Sequence, residues 1–513
     1  MANKSLFSSS HSSSALTTNN AGGNAYMLSD KQALVQYAMT GCFNGTYYSS
    51  AEEQLDTVLK LANKVPTEFL AKLAVFSRQK GVMKDMPAFL AAIVAKNDVK
   101  LLTRIFSKVV DNPKMLRNFV QVLRSGVTGR KSLGSRPKKL VQDFLNRLSD
   151  EALFKADVGN NPSLPDIIKM VHPKPSSEER SNLYSYILDK EFDESKLPKV
   201  VQEFEQFKRT KQGDPPNVPF QMLTCLNLSS DNWSTICKNA TWNQLMMNLN
   251  AFMRHGVFKD SKMVAYVAKR LSSEDEVKKS KVFPYQVFAA FANSDPNMPT
   301  KITNALQDAV QISLSNIPTF NGNVYVMLDV SGSMVSSITG NRGSVKSKVR
   351  CIDAAALIAS AILRKNPEAV VIPFDTKVHD SYLNPYDSVM TNAIKLLKFG
   401  GGGTDCHLPL ETLNNKKLKA DLIIYLSDNE SWMDPKHHGK TAMKNEWDIL
   451  KANNPNCKLI CCDFVPNKTT QVQNDENVLN LGGFNDAYFQ IIERFIESSN
   501  PDSWVKEVEA TQI

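Results

Sequence analysis

The chain has 513 residues, enough for about three folding units of ordinary size. Hydrophobic residues make up 42% and charged residues 22%, a globular composition, and no apolar run approaches the ~20 residues of a membrane helix, which argues against a transmembrane protein. The net charge of +9 is unevenly placed: residues 1–316 carry 41 Lys and Arg against 29 Asp and Glu, and residues 317–513 carry 20 against 23. That split points to a polyanionic partner for the first part and none for the second.

Residues 1–24 are read as a disordered Ser-rich tail, because they hold many Ser, Thr and Asn and no apolar segment behind a basic start. From about Met27 to Asn316 the pattern is helical. Segments 51–63, 67–79, 98–110 and 112–124 place apolar residues at i, i+3, i+4 and i+7, with Val65-Pro66, Gly81, Asn112-Pro113 and Gly126 as breaks. Helices of this length with short connections make antiparallel neighbours, which in number give an α-solenoid of degenerate repeats. Within it, residues 101–150 hold 11 basic and 3 acidic residues. Arg124, Arg130, Lys131, Arg136, Lys138 and Lys139 lie in and beside a Gly/Ser-rich loop that opens a helix. Exposed groups of this kind neutralise phosphates and make affinity depend steeply on salt. No aromatic motif lies near the loop, so shape and charge are the expected mode of recognition.

The texture changes near 317–322. Residues 323–330 (NVYVMLDV), 369–374, 421–426 and 458–465 are strand-like apolar runs. They alternate with helical stretches at 351–363, 388–398, 405–414, 440–451 and 485–497. This is the pattern of a parallel sheet covered on both faces, a doubly wound α/β domain. Residues 499–513 are read as a C-terminal tail. Cys461 and Cys462 are adjacent in a strand and face opposite ways, so with Cys457 they read as buried packing residues, not as zinc ligands joined by His437 and His438. Eight cysteines without regular spacing make no disulfide framework, and a cytoplasmic, reducing location is expected.

The first strand ends in Asp329-Val330-Ser331-Gly332-Ser333, at the sheet edge where ligands of open α/β folds bind. A carboxylate and two hydroxyls at i, i+2 and i+4 on a tight loop can share one centre. Thr404 follows Gly400 to Gly403, and Asp428 follows the strand 421–426, so both reach the same edge. Five hard oxygen ligands, Asp329, Ser331, Ser333, Thr404 and Asp428, suit Mg²⁺ or another divalent cation. Neighbouring Asp405 and Glu430 are read as groups that orient ligands, and no general base or nucleophile stands beside the loop. The chain is therefore expected not to be an enzyme.

The metal loop resembles the metal-ion-dependent adhesion site of von Willebrand factor A domains, matching all five ligand positions. Residues 124–139, 165–177 (PDIIKMVHPKPSS) and 283–292 (FPYQVFAAFA) resemble the TROVE module of the Ro ribonucleoprotein family, and GGGTDCHLPL and SDNES are similar to their Ro counterparts. The resemblance spans roughly 25–495. It implies a HEAT-like helical repeat ring over 25–318 and an A domain over 319–498. It also implies a scaffold binding small noncoding RNA on its outer basic surface and single-stranded 3′ ends of misfolded RNA in its hole, in RNA quality control. An exoribonuclease is a further implied partner, and the protein itself is expected to be monomeric. Of three RNA-contacting residues in that family, Lys155 and His172 match two by ungapped spacing, while Gly159 stands where an Arg is expected. Two other functions fit the same residues: a module docking an acidic partner through the metal, and a metal-dependent nuclease.

Overall fold

The computed structural model describes residues 16–513 apart from 41–42, 315–316, 343–344, 347–348, 436–438, 484–485 and 499–502. The charge-rich first part is an array of helices, several of them started by a local signal. Ser50 and Glu53 close a capping box before the helix Ala51–Ala62, Asp98 caps Val99–Val109, and Asn112 with Pro113 opens Pro113–Ser125. Such caps stabilise a helix by about 1 kcal/mol each. Packing does the rest. Helix Asp85–Asn97 is buried continuously from Met86 to Ala95, and Phe106 meets Phe119 edge-on at 5.4 Å. No helix among the described residues is long and apolar enough to cross a membrane.

The second part is a five-stranded parallel sheet in the order Val478–Gly482, Lys458–Asp463, Leu422–Ser427, Val324–Asp329, Val370–Phe374. Strands Val324–Asp329 and Leu422–Ser427 are buried throughout, as layers of helix on both faces require. The chain reverses its direction across the sheet between these two, so the carboxyl ends of both flank the switch point. Cys461 and Cys462 lie in different hydrophobic clusters, one on each face, and Cys457 is buried with the first. The packing role expected for all three holds; His437 and His438 lie outside the described residues.

Three segments depart from the sequence reading. Residues 16–24 are not part of a disordered tail. Leu16–Thr18 pairs antiparallel with Asn24–Met27, which continues onto Thr469–Thr470 of the α/β domain. The Asn- and Gly-rich stretch between them is a turn, in which the Asn19 side chain accepts from Gly23 N at 2.8 Å and donates to Ser431 O at 2.7 Å. The C-terminal residues are not a tail either. Helix Ser503–Glu509 sets Trp504 against Phe76, Lys72 Nζ donates to Glu509 O, and Lys108 and Arg104 reach the carbonyls of Gln512 and Ile513. The strand Val478–Gly482 escaped notice because polar Asn480 interrupts it; that side chain is buried but satisfied by Asn474 and Val472 O.

The helical array therefore closes on the α/β domain at both ends. Gln36 of its first helix donates to Asp463 at the sheet edge (2.8 Å), and its last two helices, Pro284–Ala292 and Thr300–Ser313, pack against Cys351–Lys365 and Val389–Leu396 respectively. Between them lies a cavity of about 670 Å³. Arg78 and Lys84 from early helices, Lys281 and Gln286 from late ones, and Thr339 and Val349 of the α/β domain line it.

Candidate metal centre and nucleic-acid interface

Four of the oxygen donors expected from the sequence, Asp329, Ser331, Ser333 and Asp428, meet at the switch point, and Thr404 follows the glycine loop packed against them. Asp329 and Asp428 end adjacent strands, and both are buried, with Ser331, Ser333 and Thr404. Ser331 N donates to Asp329 Oδ1 (2.8 Å), Ser427 Oγ donates to Asp329 Oδ2 (2.6 Å), and the Ser331 and Ser333 hydroxyls are 3.2 Å apart. The glycine loop lies against this turn: Gly332 N donates to Gly402 O at 2.9 Å. A side chain at Gly400, whose φ is +112°, would stand 2.0 Å from Val330 O. The close approach requires glycine.

The electrostatics fit a cation. Burial, then repulsion from Asp428, pushes Asp329 up to about 7 despite hydrogen bonds from Ser331 and Ser427. Burial also lifts Asp428 to about 6; the Ser333 hydroxyl opposes this and the Glu430 charge adds to it. Thr404 Oγ1 is buried with no hydrogen-bond partner among the described residues. Two crowded carboxylates with paired serine hydroxyls, and an orphaned hydroxyl on the adjoining glycine loop, are donors of the kind a hard divalent ion takes.

Sequence reasoning placed Asp405 and Glu430 beside this loop but missed their partners, and missed His407, Asp434 and Tyr48 altogether. Glu430 turns to the N-terminal hairpin and accepts from Asn20 Nδ2 (2.7 Å) and Ala21 N (3.1 Å). Asp405 hydrogen-bonds His407 Nδ1, which also lies 3.4 Å from Asp434 Oδ1. Burial lowers the His407 pKa, yet the bonds and charges of Asp405 and Asp434 carry it to about 10. Tyr48, from the helical array, brings its hydroxyl to Ser333 and into the field of Asp428; burial first, then that charge, raises it to about 12. Its loop is fixed by Gln54, which donates to Asn44 O and Thr46 Oγ1, and by Asn44 Nδ2, which donates to Thr339 O. The adjacent tyrosines of the GTYY stretch were the available signal, but sequence distance concealed their destination.

The basic residues divide into two kinds. Arg124, Lys131, Arg136, Lys138 and Lys139 stand at least partly in solvent on helices Pro113–Ser125 and Ser135–Arg147 and the loop between. Arg124 reaches Met170, two residues before exposed His172, so this face continues onto Leu164–Val171. His172 sits just past that helix with φ +49°. Arg136 donates to Thr103, and Lys139 forms a solvent-exposed pair with Asp143 that competes weakly with other anions. Arg130 departs from the expectation: half-buried, it donates to Ala95 O (2.6 Å) and Leu133 O, so it holds the loop. Lys155 pairs with Glu151 and borders a separate groove with Pro215 and Val218. Arg117 occupies the space beside Gly159 and donates to Val158 O.

The cavity was not foreseen as a site from the residues alone. Burial and the neighbouring Lys114 and Arg78 hold Lys84 below the usual lysine range. Arg78 is engaged by Asp111 through two nitrogens. Phe283 and Tyr285, on the wall, are stacked with ring centroids 5.8 Å apart and planes 11° from parallel.

A helical array joined to a parallel α/β sheet bearing these donors on three loops of its edge defines a helical-repeat protein with a von Willebrand A domain. The family model for the Ro60 von Willebrand A domain matches residues 323–496. The RNA-binding protein RO60 of Deinococcus radiodurans is 24% identical over 460 residues, covering 82% of this chain and 84% of that protein. The RNA-binding protein RO60 of Caenorhabditis elegans is 24% identical over 251 residues, 46% of this chain and 37% of that one. The crystal structure of the Deinococcus radiodurans RO (RSR) protein shares the fold with a TM-score of 0.62 at 19% identity, covering 94% of this chain and 100% of that chain. The chain resembles the Ro family over most of its length, and its A domain is of the Ro60 type.

Proposed function

We propose that this protein is a non-catalytic RNA-binding scaffold of the Ro type. Structured small noncoding RNA lies on the outer basic face, and single-stranded 3′ ends of misfolded RNA enter the cavity, in the service of RNA quality control. The observation that carries this reading is the cluster of Arg124, Lys131 and Lys138, exposed wholly or in part, with no ion-pair partner among the described residues. Free cations close together in the chain, on one loop and the helices beside it, gain most from phosphates through release of counterions. In the cavity, Lys84 is crowded by other cations, and the Phe283–Tyr285 pair offers a face for base stacking. The protein acts as a monomer in the cytoplasm, with Mg²⁺ held by Asp329, Ser331, Ser333, Thr404 and Asp428, and presents bound RNA to an exoribonuclease.

The test is a filter-binding titration at several salt concentrations with Lys131, Lys138 and Lys139 reversed to Glu. Weaker binding with a flatter salt dependence supports the assignment; unchanged affinity in a folded variant removes it. A second reading, docking of an acidic partner through the ion, is favoured by the apolar rim of Val335, Trp432 and Met433, each nearly half exposed beside the loop. Capture of a protein partner that fails in Asp329→Ala while RNA binding persists would establish it.

A further inference from the structure

The triad Asp405, His407 and Asp434 lies outside the five-oxygen site. Asp405 and His407 belong to the turn leading into Leu408–Asn415, and Asp434 to the loop beyond Leu422–Ser427. The two segments are joined by backbone: Trp432 N and Met433 N both donate to Thr404 O at 3.1 Å, and Cys406 N donates to Ser431 Oγ at 2.9 Å. His407 Nδ1 and one oxygen each of Asp405 and Asp434 fall within 4.8 Å of one another. One further observation points to a ligand: Asp434 Oδ1 is buried without a well-formed hydrogen bond among the described residues, its charged neighbour His407 Nδ1 standing 3.4 Å away.

We infer that Asp405, His407 and Asp434 form a second divalent-cation site, one that takes Zn²⁺ in preference to Mg²⁺. One imidazole nitrogen and two carboxylate oxygens, with a position left for water, suit zinc, whereas Mg²⁺ favours oxygen alone. Zinc bonds of about 2.0–2.1 Å in a tetrahedron set donors roughly 3.3–3.4 Å apart. The 3.4 Å between His407 Nδ1 and Asp434 Oδ1 meets that spacing. Asp405 lies closer and draws back to admit the ion. The two centres would stand back to back, since Thr404 serves one and Asp405 the other. This inference is independent of RNA binding.

The experiment uses full-length protein stripped of metal and then held in excess Mg²⁺. Zn²⁺ is titrated calorimetrically, metal content is measured after gel filtration, and Co²⁺ absorption reports coordination geometry. The wild type is expected to bind one Zn²⁺ under these conditions. His407→Asn and Asp434→Asn are each expected to bind at least tenfold more weakly, and Asp329→Ala to bind as the wild type does. Circular dichroism checks folding; if His407→Asn fails to fold, the partly exposed Asp434→Asn decides. Absence of Zn²⁺ binding in the wild type overturns the inference. So does undiminished binding in Asp434→Asn, loss confined to Asp329→Ala, or loss in a His437→Ala/His438→Ala variant with His407→Asn unaffected.

Discussion

The α/β domain gathers its chemistry into one buried point, whereas the helical array spreads its own over a surface. Five side chains drawn from three loops, spanning residues 329–428, meet at the edge of the sheet with almost no exposure. The cations of the array lie on several helices, each at least partly in solvent, and some are committed to the fold. A buried centre depends on each of its members. A surface field tolerates the loss of any one and fails only when several change together.

The sharpest test of that contrast is Asp329→Ala. It is expected to abolish Mg²⁺ binding in calorimetry while RNA affinity stays within about twofold; a parallel loss of RNA would break the separation. Next comes the triple reversal of Lys131, Lys138 and Lys139. Affinity should fall by about tenfold or more, and the slope of log K against log salt should flatten by roughly two to three units. A single reversal among them should flatten it by about one.

Stability gives smaller effects. Trp504→Ala removes a nearly buried indole from the junction with Phe76 and should cost about 3 kcal/mol in denaturant unfolding. Arg130→Ala should cost about 1–3 kcal/mol, since Ala95 O loses its donor, with little change in the salt slope. A strong drop in RNA affinity there would return Arg130 to the binding face. The pH effect concerns the metal-free protein alone. Asp329 and Asp428 have folded pKa values of about 7 and about 6, above their ordinary range. The metal-free folded state therefore holds more protons than the unfolded one and loses stability as pH rises from about 4 to about 7. The increase in Tm on adding Mg²⁺ should grow over the same interval.

The two regions also differed in how far they could be read from sequence. The motif Asp329-Val330-Ser331-Gly332-Ser333 announced its site because a strand end and a tight turn fix where those side chains go. The helices at 51–62, 67–79 and 113–125 were legible from period and caps alone. What escaped were contacts whose partners are hundreds of residues away. Asn19 and Asn20 look like linker residues until Ser431 and Glu430 meet them, and Trp504 looks like tail until Phe76 does. Arg130 shows the reverse case, since composition counts its charge but not the carbonyls it serves.

The chain crosses between its two modules more often than a linear division allows. The N-terminal hairpin pairs with Thr469–Thr470, Gln36 holds Asp463, and the C-terminal helix lies on Thr67–Gln79. A protease that nicks the exposed 319–323 stretch would thus release no fragment: both pieces should travel together through size exclusion and part only in denaturant. Separately expressed halves of this protein would each bare surfaces made to be covered by the other.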